Sequence, residues 1–145
     1  MSYNNYIFVK NEEKYFEFIR NLRNDDELVS GFIEQAKITR EQQRQYMATH
    51  KDKYYISLLN DEPVGFIGVV DNDVRLAVKK EFQRKGIASF MLQELSRIYE
   101  SFGVQVKEDN ITSIELFKKN GFIEVGTRVQ NNQRLIIMEK GKDND

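Results

Sequence analysis

The chain has 145 residues, 40% of them hydrophobic and 31% charged, with 22 Lys and Arg against 23 Asp and Glu for a formal net charge of −1. That length and mix make one domain with a real core, and they exclude a disordered tail or a chain-wide basic field for nucleic acid. With no cysteine and one histidine, His50, the sequence excludes disulfides, thiol nucleophiles, and cysteine-ligated or multi-histidine metal sites.

The N-terminal Met1-Ser2-Tyr3-Asn4-Asn5 lacks the basic and apolar regions of a signal peptide. The longest apolar stretch, Val64 to Val70, has the length of a strand. The expectation is a soluble cytoplasmic domain over residues 1–140 with a frayed polar tail over 141–145, and with neither nucleic acid nor membrane as partner.

Along the chain, Tyr6 to Val9 reads as a strand. Asn11 caps a helix to about Leu22, with Tyr15, Phe16, Phe18 and Ile19 on its apolar face. Asn24-Asp25-Asp26 breaks it, and Glu27 to Lys37 reads as a further helix interrupted by Gly31. Thr39 followed by Gln42 is a capping-box pattern, which predicts a short helix from Glu41 to about Thr49.

The period then changes to two. Tyr54 to Leu59 and Val64 to Val70 are strands joined by the turn Asn60-Asp61-Glu62-Pro63, and Asp71-Asn72-Asp73 leads into a third, Val74 to Val78. Ile87, Phe90, Met91, Leu95, Ile98, Tyr99 and Phe102 recur at helical spacing, predicting a long amphipathic helix from about Gly86. Val104 to Val106 is a short strand. Asn110 caps a helix carrying Ile111, Ile114 and Phe117, which Asn120-Gly121 ends. Phe122 to Val129 and Arg134 to Met138 close as a hairpin around Asn131-Asn132. The fold class is α/β, a mixed and mostly antiparallel sheet of six or seven strands flanked by helices, with a βαβ unit at its centre.

The chemistry concentrates in Val74 to Ala88, where a strand, a polar loop and a helix N-terminus follow one another. Unpaired N–H groups and the positive end of the helix dipole make such a terminus attractive to anions. With Gly86 letting the backbone come close, Gln83 to Ala88 can cradle a pyrophosphate, and Arg84, Lys85 and the Ser89 hydroxyl can add donors. Downstream, Asn110-Ile-Thr-Ser-Ile-Glu-Leu-Phe-Lys-Lys-Asn-Gly-Phe122 is a second informative segment.

From Val74 to Phe122 the chain resembles the GNAT family of N-acetyltransferases. The resemblance implies acetyl-coenzyme A as co-substrate, a small-molecule amine as acceptor and no metal, and it leaves a homodimer open. It implies that the strand carrying Leu76, Ala77 and Val78 pairs with the pantetheine arm, that Gln83, Arg84, Lys85, Gly86, Ile87, Ala88 and Ser89 hold the pyrophosphate, and that Asn110 completes the wall. Phe117 then faces the cofactor thiol, and Lys119 approaches the 3′-phosphate. Many members of the family have Tyr where this chain has Phe117, and that hydroxyl protonates the departing thiolate.

The general base has two leading candidates, His50 and Asp73, with Asp71 and Glu81 behind them. Turn chemistry explains Asp73 equally well, and the helix C-terminus explains His50. The N-terminal half, with Arg23-Asn24-Asp25 and then Ile38-Thr39-x-x-x-Gln43, resembles the branch that acetylates nucleotide-linked amino sugars. That implies Arg23 and Arg44 on a diphosphate or uracil edge and Asn24 on sugar hydroxyls. Two alternatives stay open: a non-catalytic coenzyme A-binding regulatory module, and a peptide or protein N-acetyltransferase.

Overall fold

A computed structural model describes residues 5–25 and 37–141. Strand β1 (Tyr6–Lys10) leads through a single 3-10 turn into α1 (Phe16–Arg23), and α2 (Arg40–His50) precedes the meander β2 (Tyr54–Leu59), β3 (Glu62–Val70) and β4 (Asp73–Val78). Helix α3 (Ile87–Leu95), β5 (Ser101–Lys107), α4 (Ile111–Lys119), β6 (Ile123–Gln130) and β7 (Gln133–Gly141) complete the chain. The seven strands form one sheet in the order β1-β2-β3-β4-β5-β7-β6. Every pairing is antiparallel except β4 with β5, the two strands joined through α3. This is the mixed sheet with a central βαβ unit that the strand pattern predicts.

The local signals explain most boundaries. Three hairpins turn on Asn60-Asp61, Asp71-Asn72 and Asn131-Asn132, all six residues with φ between 52° and 66°. Asn and Asp tolerate this left-handed conformation, and a two-residue turn with both φ positive matches the twist of its strands. Thr39 and Gln42 form the reciprocal capping box at the start of α2.

Several boundaries differ from the sequence pattern. Asn11 does not cap a helix: its amide donates to Met47 Sδ at 3.4 Å and Lys51 O at 3.3 Å, and α1 begins only at Phe16. Helix α3 ends at Leu95, not near Phe102, and Phe102 lies on β5. Phe102, Val104 and Val106 alternate inward, so Phe102 satisfies both the helical and the strand period. Its burial between Tyr99 and Phe122 comes with the strand. Strand β7 runs to Gly141, one residue into the segment read as a tail. The helix expected over Glu27 to Lys37 falls outside the described residues except for Lys37, which is not helical.

Alternation along the central strands builds two cores. On one face Ile67, Val69, Val74, Val104 and Val106 pack with Met91 and Leu95 of α3 and Phe117 of α4. On the other, Tyr54, Ile56 and Phe66 pack with Ile19 and Leu22 of α1 and Met47 of α2.

The sheet is open at its centre. Strand β3 pairs along the whole of β4, from Val70↔Asp73 to Gly65↔Val78, and β7 pairs along the whole of β5. Strands β4 and β5 themselves share a single register pair, Asp73↔Gly103. Beyond it they part.

Candidate functional site

The parting leaves backbone groups without a neighbour. Lys79 N–H donates to Val64 O at 2.9 Å, so with the β3–β4 register the amides of Asp73, Arg75, Ala77 and Lys79 turn toward β3. Those of Val74, Leu76 and Val78 turn the other way, toward β5. Past Asp73 no strand among the described residues meets Leu76 and Val78 there, although Gln83 Nε2 reaches back to Val78 O at 3.2 Å. A cavity of about 680 Å3 opens at this gap. Leu76, Val104, Val106 and Phe117 line it on the α3–α4 face, and Tyr46, Asp73, Arg75 and Gln105 on the α1–α2 face.

The mouth of α3 stands at the end of β4. Gly86 caps the helix at φ 84° with no side-chain bond, and Phe90 N–H closes the first turn onto Gly86 O at 2.9 Å. The N–H groups of Ile87, Ala88 and Ser89 therefore lie ahead of the helical ladder as donors. Among the described residues, no atom beyond its chain neighbours lies within 4 Å of the position a Cβ on Gly86 would take, so the space beside the helix cap is open. Tyr6 Oη donates to Lys85 O at 2.7 Å and ties the loop to β1. Asn120 Nδ2 donates to Ser89 Oγ at 3.0 Å and to Leu116 O at 2.9 Å, joining the α3 mouth to the end of α4. Arg84, Lys85 and Lys119 are exposed around this mouth and on the last turn of α4.

On the α1–α2 face a polar chain crosses the gap. Asp73 Oδ2 lies 3.7 Å from Arg75 Nε, and its carboxylate accepts the backbone N–H of Gln105 on β5. Glu108 N–H donates to Arg134 O of β7 at 2.9 Å, which by alternation turns the Gln105 amide toward β4. The Asp73 side chain thus takes a donor that a closer β4–β5 pairing would give to backbone. Gln105 Oε1 accepts Arg128 Nη1 at 2.9 Å, and Gln130 Oε1 accepts Arg128 Nη2. In the other direction Arg75 Nη1 lies 3.4 Å from Tyr46 Oη, which shares a hydrogen bond of 2.7 Å with Tyr54 Oη.

Burial pushes the Asp73 carboxyl above the usual aspartate range, outweighing Arg75, the Gln105 amide and Arg128, which favour its charged form. Burial likewise raises the Tyr54 phenol, with Tyr46 adding to the effect, so Tyr54 stays protonated. Gly68 makes room for Tyr54, since a Cβ there would stand 2.5 Å from its ring.

Phe117 is 4% exposed and meets Phe122 edge-on at 5.0 Å between ring centres, bringing no hydroxyl to the cavity it lines. Asn110 caps α4 by accepting Ser113 N–H at 3.2 Å, and both side chains line the cavity.

The candidates thus fall into groups. Arg23, Asp73, Leu76, Asn110 and Phe117 share the cavity, Ala77 and Val78 continue β4 beyond it, and Gln83 to Ser89 form the α3 mouth. His50 is not among the lining residues: its Nδ1 lies 3.0 Å from Tyr46 O, and its ring stacks on Tyr46 at 4.2 Å. Asn24 spends its amide on Ile38, donating to the carbonyl and accepting the N–H, both at 2.8 Å. Arg44 pairs with Glu41 beside a separate groove that includes Glu17 and Arg40. Sequence reading did not single out Tyr46, Arg75, Gln105 and Arg128 as a group. Alternation with Asp73 signals Arg75, but Gln105 and Arg128 join it only through the sheet order.

Among the described residues no three His, Asp or Glu side chains gather as a metal site, and no helix is long and apolar enough to cross a membrane. The sequence profile described as the acetyltransferase (GNAT) family matches residues 16–122. Among curated proteins none matches the chain. Solved structures share the fold. Spermidine N-acetyltransferase from Vibrio cholerae, in complex with CoA and spermine, superposes with a TM-score of 0.80 at 16% identity, over 92% of this chain and 94% of that one. Aminoglycoside acetyltransferase AAC(6')-Ib, in complex with coenzyme A and kanamycin, gives 0.77 at 17% identity over 96% of each chain. An N-acetyltransferase from Staphylococcus aureus Mu50 gives 0.77 at 18% identity, over 94% of this chain and 98% of that one.

Proposed function

The chain belongs to the acetyltransferase (GNAT) family, and from that premise we propose that it transfers the acetyl group of acetyl-coenzyme A to the primary amine of a small molecule, by direct attack in one ternary complex. The observation that carries this reading is the parting of β4 from β5, which leaves Leu76 facing a cavity open to both sides of the sheet and Val78 just beyond it on the same open edge of β4. An extended arm carrying amides can complete the ladder there, as a strand would.

Each part of the co-substrate then has its residues. The pyrophosphate meets the N–H groups of Ile87, Ala88 and Ser89, with Arg84 and Lys85 beside them and Lys119 toward the 3′-phosphate. The pantetheine arm runs along Leu76 and Val78, between Asn110 and the loop that Gln83 braces. The acetyl end lies by Phe117, and the amine enters from the α1–α2 face past Arg23. Spermidine and aminoglycosides, named in the solved relatives, are amines and support that class of acceptor.

Asp73 is the proton acceptor in this reading. It lines the cavity, and its raised pKa brings it closer to the task of a base. The ammonium of the acceptor gives a proton to the Asp73 carboxylate, and the freed nitrogen attacks the thioester carbonyl, forming a C–N bond. The C–S bond breaks, coenzyme A leaves as thiolate, and the nitrogen sheds its second proton to solvent. The thiolate, a fair leaving group near neutral pH, takes its proton from water because Phe117 has none to give. An amino sugar suits such a site, since neighbouring oxygens make its amine less basic and easier to deprotonate than that of lysine.

The test is release of free thiol from acetyl-coenzyme A with a panel of amino sugars, polyamines and peptides. Turnover on at least one small amine is expected. Tight coenzyme A binding with no turnover on any amine would point to a binding module, and turnover confined to peptides would move the acceptor to proteins.

A further inference from the structure

Basic side chains outnumber carboxylates among the described residues that line the cavity. Among the described lining residues, Arg23, Lys37, Arg75 and Arg128 stand against the carboxylates Asp71 and Asp73. Arg75 and Arg128 define the local excess. Both bear on Asp73, which lies between them along the chain Arg75–Asp73–Gln105–Arg128. Arg128 is held in place by two neutral acceptors, the side-chain oxygens of Gln105 and Gln130. Amide oxygens orient a guanidinium without cancelling its charge. Arg75 lies beside the Asp73 carboxylate and Arg128 acts on it from across Gln105, so two guanidinium charges bear on one carboxylate at the point where the acceptor meets the base.

That arrangement suits one kind of amine. A polycation would bring its ammonium to Asp73 and set its other charges against Arg75 and Arg128. Like charges at such a site act against binding. An amine that also carries an anionic oxygen group is complementary at both ends, its ammonium toward Asp73 and its anion toward the guanidinium fork. Coenzyme A has less claim on these cations, because its phosphates have their own donors at the α3 mouth, beyond the far end of β4 from Asp73.

Resting on the acetyl-transfer reading above, we infer that the acceptor is an amine bearing a carboxylate or phosphate, and that Arg75 and Arg128 on the α1–α2 face of the β4–β5 gap receive that anion. Arg128 is the specificity-determining residue of the pair, because it lies on β6, three strands from Asp73 on β4 in sheet order, and its fork is already oriented.

The experiment compares kcat/KM within two matched pairs, glucosamine 6-phosphate against glucosamine and L-methionine against L-methioninamide, with spermidine as the polycationic arm. In parallel, calorimetry measures glucosamine 6-phosphate and glucosamine binding to the protein saturated with coenzyme A. The anionic member of at least one pair should be preferred by about tenfold or more. The pair that shows the preference tells phosphate from carboxylate. Arg128→Gln should bring the ratio toward one chiefly through KM, and Arg128→Lys should restore part of it. No preference within either pair, spermidine as the best acceptor, or an unchanged ratio in Arg128→Gln would overturn the inference. Failure of the acetyl-transfer reading looks different: no amine releases thiol, while the calorimetric preference for the phosphate still reports on the anion site.

Discussion

Asp73 stands where two demands meet. Its carboxylate accepts the Gln105 amide across the gap between β4 and β5, and it faces the cavity with a raised pKa. If Asp73 is the base, as proposed, kcat/KM should rise with pH through a pKa above the ordinary aspartate value. Asp73→Asn should lose about 100-fold or more in kcat/KM together with that acidic limb, and a pH–rate series reads both. Its effect on stability has the opposite sense. A carboxyl whose folded pKa is raised stabilises the fold fully below its unfolded pKa, and that contribution is lost as pH rises through the folded value. As pH rises from below the ordinary aspartate pKa through the raised folded value, the stability of the wild type should therefore fall relative to Asp73→Asn, which denaturant titration at several pH values measures. Phe117 makes a complementary case. If water protonates the leaving thiolate, Phe117→Tyr should change kcat by less than about tenfold, whereas a missing general acid would restore about 100-fold or more.

At the level of elements, the mouth of α3 depends on backbone conformation. Gly86 at φ 84° follows Arg84, itself left-handed at φ 63°, and this path presents the first N–H groups of the helix. An alanine at 86 meets no neighbouring atom, so its cost in the free protein is the left-handed backbone alone, about 1–2 kcal/mol. Its methyl group would also occupy open space beside the helix cap. Gly86→Ala should lower Tm by a few degrees and further reduce the extra stabilisation that saturating coenzyme A gives. Melting curves with and without coenzyme A separate the two effects, and an undiminished shift would mean that the phosphates bind elsewhere. This element was legible in the sequence because a strand, a Gly and an apolar helix stand in direct succession. The end of α3 was not, because Phe102 fits both the helical and the strand period and only packing against Tyr99 and Phe122 decides between them.

For the molecule as a whole, the sequence shows the order of elements more clearly than the site they build. Asn and Asp pairs at three hairpins mark the turns, and they make the meander and the final hairpin readable without coordinates. The α3–α4 wall was readable too, since Leu76, Asn110 and Phe117 lie within two recognisable segments. The opposite wall was not, because it draws on residues far apart in the chain. Tyr46 enters from α2, Gln105 from β5, and Arg128 reaches Gln105 from β6, with β7 lying between those strands. His50, Asn24 and Arg44 show the converse. Each lies in a region that reads as functional, yet each is engaged locally, with Tyr46, Ile38 and Glu41 respectively.

The claim on which the account rests is that the parted strands receive the arm of acetyl-coenzyme A. Amide-resolved hydrogen exchange tests it most directly, with coenzyme A as the probe. Exchange at Leu76 and Val78 should slow by about tenfold or more on binding, together with Ile87 to Ser89 at the helix mouth, as the open side of β4 gains a hydrogen-bonding partner. Protection at the helix mouth with no change at Leu76 and Val78 would contradict it.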